Sequence, residues 1–263
     1  MSPVLAAFIF TFGASIGSFL NASVYRLRVG ESILSGRSHC PNCGHVLGPL
    51  DLIPALSWLM LRGRCRYCRR EISPQYLMVE LAVGLIYVWS AMSVLGGSPF
   101  IDQMTVAKLL YFWFVGSVLT IVFLYDLKYM LILPKLVVPA GLLAAAANLA
   151  LGLPWTHLLL AVGIGAGFFG LQFIISKGRW IGGGDIYLGG FMGAALGPSN
   201  LLLALFLAYV TGAIVGSTLI ALRHRGWRSE IPFGTFLSLA TLIALLWGSG
   251  ILAWYAGLTG LAL

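Results

Sequence analysis

Charged residues are scarce in this chain. Asp, Glu, Lys and Arg make up only 9% of its 263 residues, whereas a soluble domain carries about a quarter. Such a sequence cannot cover a water-facing surface, which excludes a soluble globular enzyme, a disordered chain and a nucleic-acid-binding domain. The net charge of +8 therefore bears on orientation in a membrane and does not indicate nucleic acid as a partner.

Hydrophobic residues, by contrast, make up 59% of the chain and fall in long runs. A membrane-spanning helix needs about 20 apolar residues, so we predict an all-α polytopic membrane protein with about eight such helices. The runs lie at 4–24, 76–95, 106–125, 136–153, 157–176, 185–197, 201–222 and 233–258. The run at 185–197 is short and glycine-rich, which favours close packing against neighbouring helices.

Basic residues outnumber acidic residues by 16 to 8 and cluster in alternate connections between the runs. The clusters lie at 26–70, 128–135, 177–179 and 223–228. With eight crossings all of them lie on one side, which the positive-inside rule makes cytoplasmic, with both termini outside. No basic residue precedes the first run and no small-residue cleavage site follows it, so we expect a retained helix rather than a signal peptide.

Cysteine is confined to one polar, arginine-rich loop at 26–75. The loop contains two C-x2-C pairs separated by 21 residues, namely Cys40, Cys43, Cys65 and Cys68. Four thiolates complete a closed tetrahedral Zn2+ site. A loop this small buries too little apolar surface to fold without a metal ion or a disulfide as a crosslink. Two disulfides are the alternative, which a reducing cytoplasm disfavours. We predict a structural zinc site formed by the four cysteines, with His39 and His45 as bystanders.

Two acidic residues stand at predicted helix ends on the basic side, Asp126 and, in the motif Gly182-x-Gly184-Asp185, Asp185. Ionisable groups near hydrocarbon are costly and indicate function. When two carboxylates lie within a few Å, one holds a proton while the other acts as a base, which is the chemistry of aspartic peptidases. The plain alternative is that Asp126 pairs with Lys128 or another basic loop residue and that Asp185 caps its helix. A proton-coupled transporter is the non-enzymatic alternative, but it predicts carboxylates near the bilayer centre.

Motifs along nearly the whole chain resemble those of the type IV prepilin peptidases, which are bifunctional leader peptidases and N-methyltransferases. They include Gly13-Ala-Ser-Ile-Gly-Ser-Phe-Leu-Asn21, the cysteine quartet, Asp51-Leu-Ile-Pro54, Arg62-Gly-Arg-Cys-Arg66, Gly182-x-Gly184-Asp185 and Ile231-Pro-Phe-Gly-Thr-Phe-Leu237. The quartet together with Gly-x-Gly-Asp is highly specific. One departure is visible, since the family pattern after the first aspartate often ends in Pro-Asp and here it is Pro134-Lys135.

The resemblance implies that Asp126 and Asp185 remove the short basic leader from type IV prepilins or pseudopilins, at the cytoplasmic face of a bacterial inner membrane. It also implies S-adenosylmethionine as methyl donor for the new amino terminus. The expected domains are a first transmembrane helix at 1–25, a methyltransferase-associated four-cysteine domain at 26–75 and a peptidase domain at 76–263. The pilins would serve type IV pili or type II secretion. A peptidase without methylation and a presenilin-like intramembrane protease are the enzymatic alternatives, although the latter leaves the cysteine loop unexplained.

Four further acidic residues lie in or beside the loop. Glu31, Asp51 and Glu71 either attract the basic leader or pair with nearby arginines. Glu80, at the start of the second long run, is the candidate methyltransferase residue, since its charge could neutralise a sulfonium or hold the new amine. The alternative for Glu80 is an ion pair with Arg69 or Arg70, or a favourable place in the helix dipole.

Overall fold

The computed structural model describes residues 1–33, 35–96, 102–222 and 231–260. Within these residues the regular secondary structure is helical, as predicted, and the loops contain two isolated β-bridges. Besides a short 3-10 helix at Pro49–Asp51, the helices are α1 (Pro3–Val29), α2 (Leu56–Met60), α3 (Gln75–Leu95), α4 (Gln103–Tyr129), α5 (Pro134–Ala150), α6 (Trp155–Ser176), α7 (Gly183–Ala221) and α8 (Phe233–Thr259). The chain divides into two compact units, Met1–Ser117 and Val118–Leu263, with the boundary inside α4.

In the first unit, α1 packs closely against α3. The glycines of α1 make this possible, because small residues let two helix backbones approach. A Cβ atom at Gly17 would lie 2.9 Å from the Cα of Glu80, and one at Gly13 would lie 2.9 Å from the side chain of Tyr87. The packing therefore fixes Glu80 directly beside α1.

Six helices of the described residues are long and apolar enough to cross a membrane, and α5, with 17 residues, is a shorter apolar helix. The chain is thus a multi-pass membrane protein, with fewer separate long helices than the eight predicted. The difference arises partly because the runs at 185–197 and 201–222 both lie in α7. Arg223, Arg225 and Arg228, which the orientation prediction uses, lie outside the described residues.

The 39-residue α7 is broken at Gly197, whose φ of 70° and ψ of 179° are not helical, and Pro198 follows it. Asp185 and Tyr209 each lie 12 residues from this break, and a continuous helix would hold them about 36 Å apart. Both nevertheless line the same cavity. The chain therefore reverses at Gly197, and the two halves of α7 form a hairpin.

In the second unit, α7 packs against α5, α6 and α8. Its first half meets α6 through glycine, as predicted from the composition of this run. A Cβ atom at Gly165 or at Gly189 would overlap the carbonyl group of the other residue, and one at Gly193 would overlap the carbonyl group of Ala161. The start of α7, which carries Asp185, is held in place by this backbone contact.

Candidate active site and metal centre

Asp126 lies in the last turn of α4 and is 4% exposed. Its Oδ2 accepts a hydrogen bond of 2.8 Å from the backbone N–H of Thr235, and the N–H of Gly234 also donates to the carboxylate. Both donors belong to the first turn of α8, where N–H groups lack helical partners and carry partial positive charge. The ion pair with Lys128 that the sequence left open is absent from the described residues.

Asp185 lies in the first turn of α7 and is 6% exposed. Its Oδ2 accepts the N–H of Gly182 at 3.0 Å, so it does cap its helix, as the plain alternative held. A Cβ atom at Gly184 would lie 2.8 Å from the Cβ of Ile132 in the connection that follows α4. The glycine of the motif immediately before Asp185 therefore lets α7 start against the segment that follows Asp126.

The two aspartates line one cavity of about 900 Å³, and the charge of Asp126 acts electrostatically on Asp185. The remaining wall comes from the connection after α4 at 130–132, Gln172 of α6, the segment at 178–184, the second half of α7 and the segment at 231–236. Each carboxylate faces helical N–H groups, which favour its ionised form, while two neighbouring carboxylates favour one shared proton. The arrangement can supply a base and an acid to one substrate bond. Both aspartates lie at helix ends, which does not fit the mid-bilayer carboxylates expected of a transporter.

The four cysteines form one cluster in the loop of the first unit. Their sulfur atoms all lie within 4.8 Å of one another, and all four are free thiols. The Sγ atoms of Cys40 and Cys68 are 3.9 Å apart, close to the roughly 3.8 Å edge of a tetrahedron with Zn–S bonds of about 2.3 Å. The cluster can therefore hold a metal ion, and neither His39 nor His45 belongs to it.

Each cysteine pair sits on the same kind of turn. The residue after the second cysteine, Gly44 or Arg69, has a positive φ and donates its N–H to the carbonyl of the first cysteine. Burial acts to raise the pKa of Cys65, but backbone N–H groups of Cys68 and Tyr67 and two neighbouring thiols lower it to about 7. A thiol of this kind is readily deprotonated for metal binding at neutral pH.

Asp51 joins the two turns. It accepts hydrogen bonds from Arg66 at 2.6 Å and from the hydroxyl of Tyr67 at 3.1 Å, and Tyr67 stacks on His45 of the first turn. Burial opposes ionisation of Asp51, yet Arg66, the N–H of Gly48 and Tyr67 hold its pKa below the usual range. Pairing with an arginine, one of the two roles predicted for Asp51, is the one observed.

Glu80 lies in the second turn of α3 and is 7% exposed. It accepts the N–H of Ala55 at 2.7 Å and the hydroxyl of Ser18. The described residues contain no ion pair between Glu80 and Arg69 or Arg70. Its negative charge is thus buried beside the cysteine loop, and no cationic side chain in the described part of the chain forms an ion pair with it.

Comparison with known proteins places this arrangement in a family. Residues 11–94 match the model of the bacterial peptidase A24 N-terminal domain, and residues 113–217 match that of the type IV leader peptidase family. The chain is 35% identical to a prepilin leader peptidase/N-methyltransferase of Aeromonas hydrophila, over 94% of this chain and 92% of that protein. A protein of Bacillus subtilis (strain 168) with the same name is 30% identical over 95% of this chain and 98% of its own length.

The chain belongs to the type IV leader peptidase family. A relative from Myxococcus xanthus (strain DK1622) is 35% identical over 87% of this chain and 67% of its own length, and it has the same name. No solved structure matches the chain.

In this leader peptidase the structure brings together residues that the sequence analysis did not single out. The N–H groups of Gly234 and Thr235 hold Asp126, and Tyr209 lies within electrostatic range of Asp185. The only sequence signal for Gly234 and Thr235 is the segment Ile231–Leu237, which contributes to the family resemblance but has no predicted role.

Proposed function

We propose that this protein hydrolyses the bond between the leader and the mature part of type IV prepilins or pseudopilins, with Asp126 and Asp185 as the catalytic dyad. The observation that carries the proposal is the convergence of these two buried carboxylates, which belong to different helices, on one cavity. Gly182 and Gly184 support the dyad, because they shape the start of the helix that carries Asp185.

In this mechanism the ionised carboxylate takes a proton from water, and the water oxygen attacks the peptide carbonyl carbon. The protonated carboxylate donates its proton to the substrate, and the C–N bond then breaks with the electron pair staying on nitrogen. The products are a leader with a new carboxyl group and a pilin with a new amino group. The N–H groups of Gly234 and Thr235 stabilise the ionised form of Asp126 between turnovers.

The cavity is proposed to face the cytoplasm of a bacterium whose inner membrane holds the chain. The basic clusters of the connections support this orientation under the positive-inside rule. A basic leader also stays on the cytoplasmic side for the same reason, while the apolar part of the pilin enters the bilayer. The substrates would be components of type IV pili or of type II secretion, and the names of the relatives support prepilins as the class of substrate.

The second proposed activity is methylation of the new amino group. When bound, S-adenosylmethionine supplies a methyl group on positively charged sulfur, and its transfer to nitrogen leaves neutral S-adenosylhomocysteine and one proton. We assign this activity to the four-cysteine domain at 26–75 with Glu80, and the peptidase to 76–263. The ion held by the four cysteines is proposed to be structural Zn2+, because four thiolates close its coordination shell.

The test uses the purified full-length protein, a leader-bearing prepilin and S-adenosylmethionine, with mass spectrometry scoring cleavage and methylation separately. Asp126→Asn and Asp185→Asn should each lower the rate of cleavage by at least about a thousandfold, because an amide can neither take nor give the proton. Both variants should still methylate a pilin supplied without its leader, which shows that they are folded.

Asp102→Asn is the matched control, since it makes the same substitution at an exposed residue that does not line the cavity, and asparagine keeps an acceptor for the N–H of Thr105. Cleavage at wild-type rate by either aspartate variant would overturn the dyad. Elemental analysis of the same preparations should give one zinc per chain, and the absence of zinc with oxidised thiols would refute the metal assignment.

A further inference from the structure

The first unit contains a cavity of about 340 Å³ that the peptidase does not use. Its size lies within the range of small-molecule sites. Along α1 the wall is formed by Ser18, Ala22 and Arg26, which share one helix face because they are four residues apart. These positions extend over about 12 Å of helix axis. The opposite wall comes from the cysteine loop and the start of α3.

Glu80 contributes a negative charge to this cavity. Its carboxylate is held by Ala55 and Ser18, and no cation of the described residues pairs with it. A buried charge without a partner is costly. A ligand that carries a positive charge would therefore be stabilised here.

The other two acidic residues that line the cavity do not provide a negative charge that is both buried and unpaired. Asp51 is already paired with Arg66 at 2.6 Å, and Glu71 is exposed to solvent. The loop also contains many arginines, whose charges repel a cation. Glu80 is thus the acidic residue of the wall that can hold a cationic ligand.

A buried positive charge lies farther along the same wall. Arg26 is 8% exposed, and its guanidinium donates to the carbonyl oxygens of residues 32, 33, 35 and 36 at 3.3 to 3.5 Å. No acidic side chain of the described residues pairs with it. The cavity thus presents a carboxylate and a guanidinium that form no ion pair with the residues described, which suits a ligand with charges of both signs.

Aromatic side chains complete the cavity. Trp58 and Tyr76 both line it, and the indole N–H of Trp58 is fixed by a hydrogen bond of 3.1 Å to the carbonyl of Ile72. Aromatic rings offer flat surfaces to a heteroaromatic base and attract cations over their faces. A ligand with an adenine base, a positive charge and a carboxylate is complementary to the aromatic side chains, to Glu80 and to Arg26, respectively.

We propose that this cavity is the binding site for S-adenosylmethionine and that Glu80 provides the negative charge for its sulfonium. The inference rests on the proposed methylation, and it adds the place and the residues that bind the donor. The new amino group of the pilin is the other cation that Glu80 could hold, and the two ligands differ in a way that an experiment can separate.

The experiment compares binding of S-adenosylmethionine with binding of S-adenosylhomocysteine, which lacks the sulfonium charge, by calorimetry on the full-length protein in detergent. Glu80→Gln keeps an acceptor for Ala55 and removes the charge. It should weaken binding of S-adenosylmethionine by on the order of tenfold or more, and it should change binding of S-adenosylhomocysteine far less. Ala22→Trp, which fills the cavity, should abolish binding of both ligands.

Two controls accompany these variants. Asp102→Asn makes the same change in net charge at an exposed residue outside the cavity lining and keeps an acceptor for the N–H of Thr105, and it should bind both ligands like the wild type. Leader cleavage by each variant reports that the protein is folded.

The outcomes separate this inference from the proposed function. If the wild type methylates pilin but Glu80→Gln and Ala22→Trp bind both ligands normally, the cavity assignment is wrong and the methyltransferase stands. If Glu80→Gln leaves donor binding unchanged but raises the KM for pilin in methylation, Glu80 holds the amine and the assignment to the donor is overturned. A wild type that cleaves but neither binds the donor nor methylates would refute both the methyl transfer and this site.

Discussion

At the scale of single residues, Asp126 depends on a glycine of another helix. A Cβ atom at Gly234 would lie 2.9 Å from the Cγ of Asp126, so Gly234→Ala must displace the carboxylate or break its bonds to α8. We expect kcat for leader cleavage to fall by about a hundredfold, the usual cost of a misplacement near 1 Å. The measurement is single-turnover cleavage of a prepilin at saturating enzyme.

Gly250→Ala is the control for this prediction, because it lies in the same helix and no atom would meet its Cβ within 4 Å. It should cleave at the wild-type rate. If Gly234→Ala does the same, the start of α8 does not position Asp126.

The residues that carry ionisable or metal-binding side chains could be found from the sequence. Asp126, Asp185 and the four cysteines were singled out by residue type and spacing, and the structure brings each set together. The donors to Asp126 could not be found in this way, because a backbone N–H has no sequence signature. The bond from Thr235 to Asp126 also joins residues 109 positions apart.

At the scale of elements, the contact of α6 with α7 decides where Asp185 sits. Gly165→Ala would place a methyl group against the carbonyl of Gly189, and overpacking of this kind costs about 1–3 kcal/mol. We expect a lower unfolding temperature in detergent and slower cleavage, since α7 carries Asp185.

Gly167→Ala, two residues away in the same helix, is the matched variant, because no atom would meet its Cβ within 4 Å. Alanine favours a helix over glycine by up to about 1 kcal/mol, so this variant should be as stable as the wild type or slightly more stable. Equal stability losses in both variants would show that the loss does not come from the contact between Gly165 and Gly189.

The elements themselves were predicted in part. The glycine-rich run at 185–197 ends where α7 breaks, at Gly197, and its close packing was expected from composition. Two separate crossings at 185–197 and 201–222 require the chain to turn between them, and the break at Gly197 provides this turn. Hydropathy alone does not identify the residue at which the turn occurs.

At the scale of the whole molecule, the number of crossings decides on which side the termini lie. If α5 and both halves of α7 each cross, the helices α1 and α3 to α8 give eight crossings, and the two termini share one side. If α7 crossed only once, as an unbroken helix would, the number would be odd and the termini would lie on opposite sides. The basic clusters favour the first case, because it alone puts all of them on one side.

Reporter fusions distinguish the two cases. Alkaline phosphatase fused after Leu263 should be active, because an even number of crossings returns the carboxyl terminus to the outside, where this enzyme folds. The same reporter fused after Arg179, in the basic connection between α6 and α7, should be inactive, since that connection is cytoplasmic under the positive-inside rule. An active fusion after Arg179 would place the loop beside Asp185 outside, away from a basic leader that stays in the cytoplasm. An inactive fusion after Leu263 with an inactive fusion after Arg179 would mean that α7 crosses only once before α8 crosses back, which would contradict the hairpin at Gly197.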